Sequence, residues 1–160
     1  MAKSTEARAC APDEVLAFER EFDAPLALVW KLWKDPEHMV RWHGPEGYWL
    51  THCEIDFRVG GKWRFVGRGP HGEGPAFYGE YREIGLPDRI VFTEIFEPFP
   101  DAESVITAVF TEEGGKTRLT VTCLYPSRDV RDMVIKTGME KGAAISYDGL
   151  EEVAQSLRRP

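Results

Sequence analysis

Between residues 50 and 125 the chain runs through six short strand-like stretches, at 50–57, 62–68, 76–84, 89–97, 103–112 and 116–125. The breaks between most of them are built from turn formers: Gly60-Gly61, Pro70-His71-Gly72-Glu73-Gly74, Pro87-Asp88 and Glu113-Gly114-Gly115. Glycine supplies the backbone conformations that tight turns demand, and proline pre-sets one turn dihedral. Loops this short join antiparallel neighbours, because a parallel crossover needs about a dozen residues or more. Six strands in succession therefore predict an antiparallel meander.

The flanks carry a different period. Val15–Phe22 alternates enough for a first strand, and Asp23 stands where an N-cap belongs, with Pro25 in the first turn of a helix running to about Trp33. Leu26, Val29, Trp30 and Trp33 recur at helical spacing, and Asp35-Pro36 restarts a second short helix that Gly44-Pro45 ends. From Asp129 to Leu157 the period returns to helical, and one helix over that range would be about 40 Å long at about 1.5 Å per residue. The predicted class is α+β, a curved antiparallel sheet of about six or seven strands in β-α-α-β6-α order.

Length and composition narrow the rest. A chain of 160 residues with 42% hydrophobic content can bury one good core, which predicts a single domain over 14–160 behind a polar, flexible arm at 1–13. Nothing approaches the run of about 18 apolar residues that a membrane span needs, so no membrane insertion is expected. Met1 to Cys10 lacks the apolar stretch of a secretory signal, which points to the cytoplasm. The net charge of −7 opposes the phosphate backbone of nucleic acid. Cys10, Cys53 and Cys123 are scattered and odd in number, so reduced thiols are predicted.

Metal and cofactor signals are weak in the sequence. His38 and His43 miss the four-residue spacing that aligns two ligands on one helix face, and Cys53 points away from its neighbour His52. The chain has no phosphate-gripping Gly-x-x-x-x-Gly-Lys-Ser/Thr, dinucleotide fingerprint or nucleophile elbow. No cofactor and no metal are expected.

Two motifs tie these elements to a known family: Trp42-His43-Gly44-Pro45 at a helix end, and Asp56-Phe57-Arg58-Val59-Gly60-Gly61-Lys62-Trp63 around a tight turn. Asp35-Pro36-Glu37, Gly79-Glu80-Tyr81-Arg82-Glu83-Ile84, Pro87-Asp88-Arg89-Ile90-Val91-Phe92-Thr93 and Thr117-Arg118-Leu119-Thr120-Val121-Thr122 fall in the matching order. Over about residues 15–157 the chain resembles the START-like (SRPBCC) helix-grip proteins of the Hsp90-ATPase-activator-homologue type. The resemblance implies a curved sheet wrapped around a long C-terminal helix, with an internal cavity. It does not imply one chemistry, since members include ligand carriers, cyclase-like enzymes, resistance proteins and co-chaperone domains. His43 departs from the pattern, because many relatives carry a second tryptophan there.

The candidate site follows from strand and helix faces. Trp42, Trp63, Phe65, Tyr81 and Phe92 could line one concave surface, as core or as pocket wall. Glu94 lies between Phe92 and Phe96 on one strand face, so an internal position would desolvate its carboxyl and raise its pKa. His52 and Glu54 share a face of their own strand and could join it. Gly138, Gly142 and Gly149 fall on one helical stripe, where each glycine costs about 1 kcal/mol relative to alanine. Either the stripe leaves room for a ligand, or Gly138 breaks the helix and the others permit close packing. Asp56 and Arg58 are expected to fix the Gly60-Gly61 turn.

The leading expectation is a ligand-binding module that holds a small hydrophobic or aromatic molecule between the sheet and helix 129–157. Its lining would be Trp42, His52, Glu54, Trp63, Phe65, Tyr81, Phe92, Glu94, Gly138 and Gly142. A cyclase- or hydrolase-like enzyme using Glu94, His52 and Glu54 is the runner-up, and no residue is assigned a catalytic role. The third reading, implied by the family, is a protein-interaction domain that binds a chaperone or a second copy of itself.

Overall fold

The computed structural model describes residues 8–10, 15–42, 49–85, 88–136 and 139–158. In chain order the elements are β1 (Arg8–Cys10), β2 (Val15–Phe22), α1 (Leu26–Lys34), α2 (Pro36–Trp42), β3 (Trp49–Ile55), β4 (Lys62–Gly69), β5 (Gly72–Gly85), β6 (Arg89–Phe96), β7 (Ser104–Glu113), β8 (Lys116–Leu124), α3 (Arg128–Lys136) and α4 (Met139–Arg158). The strands form one curved sheet in the order β1-β2-β8-β7-β6-β5-β4-β3, with every neighbouring pair antiparallel. The meander read from the turn spacing is therefore present, and β2 closes on β8. Arg8–Cys10, inside the segment read as an arm, pairs with Ala17–Val15 of β2.

Alternation along each strand sets the two faces. Leu16, Phe18, Arg20 and Phe22 of β2, Ile106, Ala108 and Phe110 of β7, and Leu119, Val121 and Cys123 of β8 are all buried. The register places Leu16 opposite Cys123, Phe18 opposite Val121 and Phe110 opposite Leu119, so these residues share the concave face. Helices α1, α2 and α4 cover that face, and their buried residues Val29, Trp30, Leu32, Trp33, Met39, Trp42, Leu150, Val153 and Ala154 complete the core. Each fully buried large apolar side chain contributes about 1.5–3 kcal/mol relative to an exposed one.

The helix boundaries differ from the sequence reading in two places. Helix α1 starts at Leu26 with Pro25 at its N-cap and no side-chain cap, so Asp23 does not cap it. Instead the Leu26 N–H donates to Glu112 Oε2 at 3.0 Å, across the fold from β7. Asp23 is held by its backbone: its N–H donates to Glu151 Oε1 at 3.3 Å, and its carbonyl accepts from Gln155 and Arg158, each at 2.6 Å. The orphan donors of a helix start need an acceptor, and distant carboxylates serve as well as a local one.

The second difference is the C-terminal helix, which is two helices. Ser127 caps α3, its hydroxyl accepting from the Val130 N–H at 3.2 Å. Helix α4 then spans 20 residues, or about 30 Å. Gly138 sits between the two helices, and residues 137 and 138 lie outside the described residues, as does His43.

At the β3–β4 turn the expected local bonding is present. Arg58 Nε donates to Asp56 Oδ2 at 2.8 Å, and the Arg58 N–H donates to the Asp56 carbonyl at 2.8 Å. Gly60 takes φ +84, and a Cβ at Gly61 would stand 2.0 Å from the Asp56 carbonyl oxygen. The turn is anchored to the sheet by reciprocal bonds with Tyr81, whose carbonyl accepts from Gly60 and whose N–H donates to Gly61.

Candidate functional site

The concave face has an aromatic wall at the β4–β6 end. Trp63 and Phe65 point inward from β4, with ring centroids 4.8 Å apart, and Trp63 meets Phe92 of β6 edge-on at 5.8 Å. Tyr81 lies 6.1 Å from Phe92 and 5.2 Å from Phe57. The Trp63 indole N–H donates to the Thr93 carbonyl at 3.1 Å. Gly79 makes that possible: a Cβ there would lie 1.8 Å from the Thr93 oxygen and 2.8 Å from Trp63 Nε1.

Trp42 enters from the helical side. Its indole N–H donates to the Leu32 carbonyl at 2.8 Å, and its ring stacks with Tyr147 of α4 at 6.2 Å and lies 5.9 Å from Trp33. Tyr147 also meets Phe22 of β2 edge-on at 6.0 Å. Trp42, Trp63, Phe65, Tyr81 and Phe92 are thus brought to one concave surface, as their spacing implied.

Glu94 is on this surface too, between Phe92 and Phe96 on β6. Protein surrounds it, and burial pushes its carboxyl up to about 7. It nevertheless keeps part of its surface accessible. Among the described residues its carboxyl has no hydrogen-bond or ion-pair partner. Buried carboxylates are ordinarily paired, because an isolated charge is strongly disfavoured away from water.

Three further groups gather around Glu94, none of which the sequence reading singled out for chemistry. The Tyr125 hydroxyl donates to the Cys123 sulfur. Burial pushes the Cys123 thiol up to about 12 and raises Tyr125 and Tyr147 well above the usual tyrosine value. The negative charge of Glu94 adds to all three shifts, which places them within its field. Arg20, with only 3% of its surface exposed, faces Tyr147 and is engaged by Asp148 at 2.8 Å. The only hint in the sequence was the alternation of Val121, Cys123 and Tyr125 along β8 and its end. Among the described residues the groups in the field of Glu94 are thus weak acids, and Arg20 beside Tyr147 pairs with Asp148 through Nη2 while its Nε has no hydrogen-bond partner.

His52 and Glu54 are not part of it. The register sets His52 opposite Val66 and Glu54 opposite Arg64, on the strand face away from Trp63 and Phe65. Their side chains are 42% and 68% exposed and pair with each other at 3.0 Å. Cys53, between them, is the inward-facing residue; burial pushes its thiol up to about 11, and it lies close enough to raise Tyr81.

Of the glycine stripe, Gly149 is resolved by geometry. A Cβ there would sit 3.0 Å from the Trp42 carbonyl oxygen, so Gly149 lets α4 and α2 approach closely. This is the packing use of glycine rather than the making of space. Gly138 lies outside the described residues; Gly142 falls in α4, its surroundings likewise outside them.

Two surface features complete the survey. An open cleft of about 570 Å³ is lined by Pro36, Cys53, Glu54, Ile55, Asp56, Arg58, Gly60 and Lys62. At the start of α2, the largely buried His38 stands with Nε2 4.0 Å from Asp35 and 3.8 Å from the exposed Glu37, while its Nδ1 has no hydrogen-bond partner among the described residues.

An open antiparallel sheet that grips a C-terminal helix over an aromatic concave face defines a helix-grip protein of the START-like class. Residues 23–155 match the family described as Activator of Hsp90 ATPase homolog 1-like protein, and the chain belongs to that family. Solved structures agree. A protein of Rhodobacter sphaeroides superposes with a TM-score of 0.88 at 22% identity, covering 97% of this chain and 100% of its own. One from Mycobacterium smegmatis gives 0.83 at 28% identity, with 93% and 95% covered. An AHSA1-like protein of Aeromonas hydrophila gives 0.68 at 18% identity, with 88% and 93% covered. No curated protein matches the chain.

Proposed function

We propose that this protein binds a small hydrophobic or aromatic molecule between the concave sheet and α4, in the cytoplasm. The observation that carries the reading is Glu94: a carboxyl on an aromatic surface, raised by burial yet partly accessible, with no partner among the described residues. A binding site needs an apolar wall with a few placed polar groups, and this surface has that composition. Free thiols at Cys53 and Cys123 fit a reducing compartment. No described helix is long and apolar enough to cross a membrane.

Native mass spectrometry of the freshly purified protein, followed by denaturing extraction, tests the reading and counts subunits, including the dimer the family suggests. The expected result is an adduct that disappears on denaturation and is depleted in Glu94→Gln. Wild-type protein that carries no adduct and takes up no apolar aromatic compound would overturn it.

A second reading is favoured by one specific observation. A carboxyl pushed up to about 7 is matched to proton transfer near neutral pH, so Glu94 could act as a general acid or base on the bound molecule. With His52 and Glu54 on the other face, Glu94 would act with Tyr125, Cys123 and Tyr147 as neighbours. That reading expects Glu94→Gln to retain a ligand it no longer converts.

A further inference from the structure

The sheet ends in two edges of unlike kind. One is β1, three residues long; the other is β3, seven residues long, which among the described residues pairs only with β4. Short edge strands, lysine and proline are common protection against edge-to-edge pairing, and Trp49–Ile55 contains neither of those residues. We infer that β3 pairs with β3 of a second copy of this chain, antiparallel about a two-fold axis at Cys53, so that two sheets run on as one. This interface is separate from the concave site, and neither depends on the other.

Backbone geometry fixes which residues are available. The Asp56 N–H donates to the Lys62 carbonyl at 3.0 Å, and Ile55 stands opposite Trp63. In an antiparallel ladder, opposed pairs alternate between those that exchange hydrogen bonds and those that do not. Glu54 opposite Arg64 and His52 opposite Val66 are therefore bonded pairs, and the N–H and C=O groups of Cys53 and Ile55 point away from β4. The open cleft of about 570 Å³ borders this same stretch, at Cys53, Glu54, Ile55 and Asp56. The bulge of β3, a feature that blunts edges, lies between Leu50 and His52 and so precedes it.

The side chains select the register, and with it the occupant. A two-fold axis at Cys53 makes Cys53 a bonded pair with its own copy and sets His52 opposite Glu54 of the second copy, twice over. Those two are non-bonded pairs, in which Cα atoms lie about 4.5 Å apart and side chains meet most closely. Within one chain His52 Nε2 already stands 3.0 Å from Glu54 Oε1 on the outer face, so imidazole and carboxylate would alternate around a cluster of four. Neighbouring registers lack this match. An axis at Glu54 opposes the two Glu54 carboxylates, and one at Ile55 opposes Glu54 to Asp56, like charge against like in both. A strand that complements itself in one register is what an isologous interface requires.

Sedimentation of the full chain from about 5 to about 500 µM, a range that covers a small interface, tests the association. A reversible dimer of twice the 18.2 kDa chain mass is expected. His52→Glu opposes carboxylates at both sites and should weaken the dimer at least about tenfold, while His52→Glu with Glu54→Lys restores opposite charges and should recover it. Oxidation of the wild type with diamide, followed by peptide mapping, reads the register without any substitution. Opposed Cα atoms about 5.5 Å apart are within disulfide reach, so a Cys53–Cys53 peptide is expected. A chain that stays monomeric throughout overturns the inference and leaves the ligand reading untouched. A dimer that His52→Glu does not weaken, or that yields no Cys53–Cys53 peptide, overturns β3 as the interface. So does a double variant that folds yet does not re-associate.

Discussion

The two ends of the concave face are equally aromatic, yet they treat buried polar atoms in opposite ways. At the β4–β6 end the Trp63 indole lies over Gly79 and its N–H is satisfied by the Thr93 carbonyl at 3.1 Å. Thr93 in turn accepts from the Glu80 N–H through its hydroxyl at 2.9 Å. Both of these polar groups are engaged within the wall of rings. At the β6–β8–α4 end the Tyr125 hydroxyl pairs with the Cys123 sulfur, while the Glu94 carboxyl has no partner among the described residues. Aromatic content does not distinguish a packed core from a binding surface; the fate of the polar atoms among the rings does.

The comparison is broken most severely at Gly79. A single methyl added there would lie 1.8 Å from the Thr93 oxygen and 2.8 Å from Trp63 Nε1, which are the two atoms of one hydrogen bond. Neither the strand backbone nor the wedged indole can retreat without loss of pairing. Gly79→Ala is expected to cost about 3–5 kcal/mol in urea unfolding, the range of over-packing combined with a broken buried bond. A loss below about 1 kcal/mol would show that this end yields as a binding surface does, and the contrast would fail.

The other end is sharpened by pH. Burial raises the Glu94 carboxyl from 4.5 to about 7, so the folded state holds this proton more tightly than the unfolded state. Stability from this group is therefore full below 4.5 and is lost as pH climbs to about 7; the gap corresponds to about 3 kcal/mol. Glu94→Gln removes the ionisation. The variant should match the wild type near pH 4.5 and exceed it by about 2–3 kcal/mol at pH 8 in ligand-free protein. Parallel stability curves for the two proteins would mean that water or a partner already reaches the carboxyl.

Much of this arrangement was legible in the chain. Hairpin-sized breaks dictated the meander, and the bracket of Phe92 and Phe96 around Glu94 implied a desolvated carboxyl on the condition that this strand face is internal. What was not legible depends on long-range geometry. Glu112 and Glu151 serve the Asp23–Leu26 segment from remote sequence positions, so the local Asp23 signal misled. The end of α3 at Lys136 falls within a helical period that continues past it, and periodicity does not register a break. Trp63, Gly79 and Thr93 meet only once β4, β5 and β6 are in register. Cys123, Tyr125 and Tyr147 reach Glu94 only through β8 and α4. For His52 and Glu54 alternation fixed that they share a face but not which face, because a one-residue slip exchanges the two. The register shift between Leu50 and His52 lies just there.

That last ambiguity yields the smallest effect. His52 and Glu54 form a 3.0 Å pair on the outer surface with 42% and 68% of their side chains exposed. Exposed pairs of this kind contribute about 0–1 kcal/mol, since solvent screens them and ordering the side chains offsets the attraction. His52→Ala should shift stability by less than about 0.5 kcal/mol and leave retention of a co-purified molecule unchanged, while Glu94→Gln depletes it. The pair is thus an internal control: the same acid and imidazole chemistry, one strand face away from the rings. If His52→Ala instead emptied the protein as Glu94→Gln does, the site would lie towards the open cleft that Glu54 and Cys53 border, and the concave pole would be core alone.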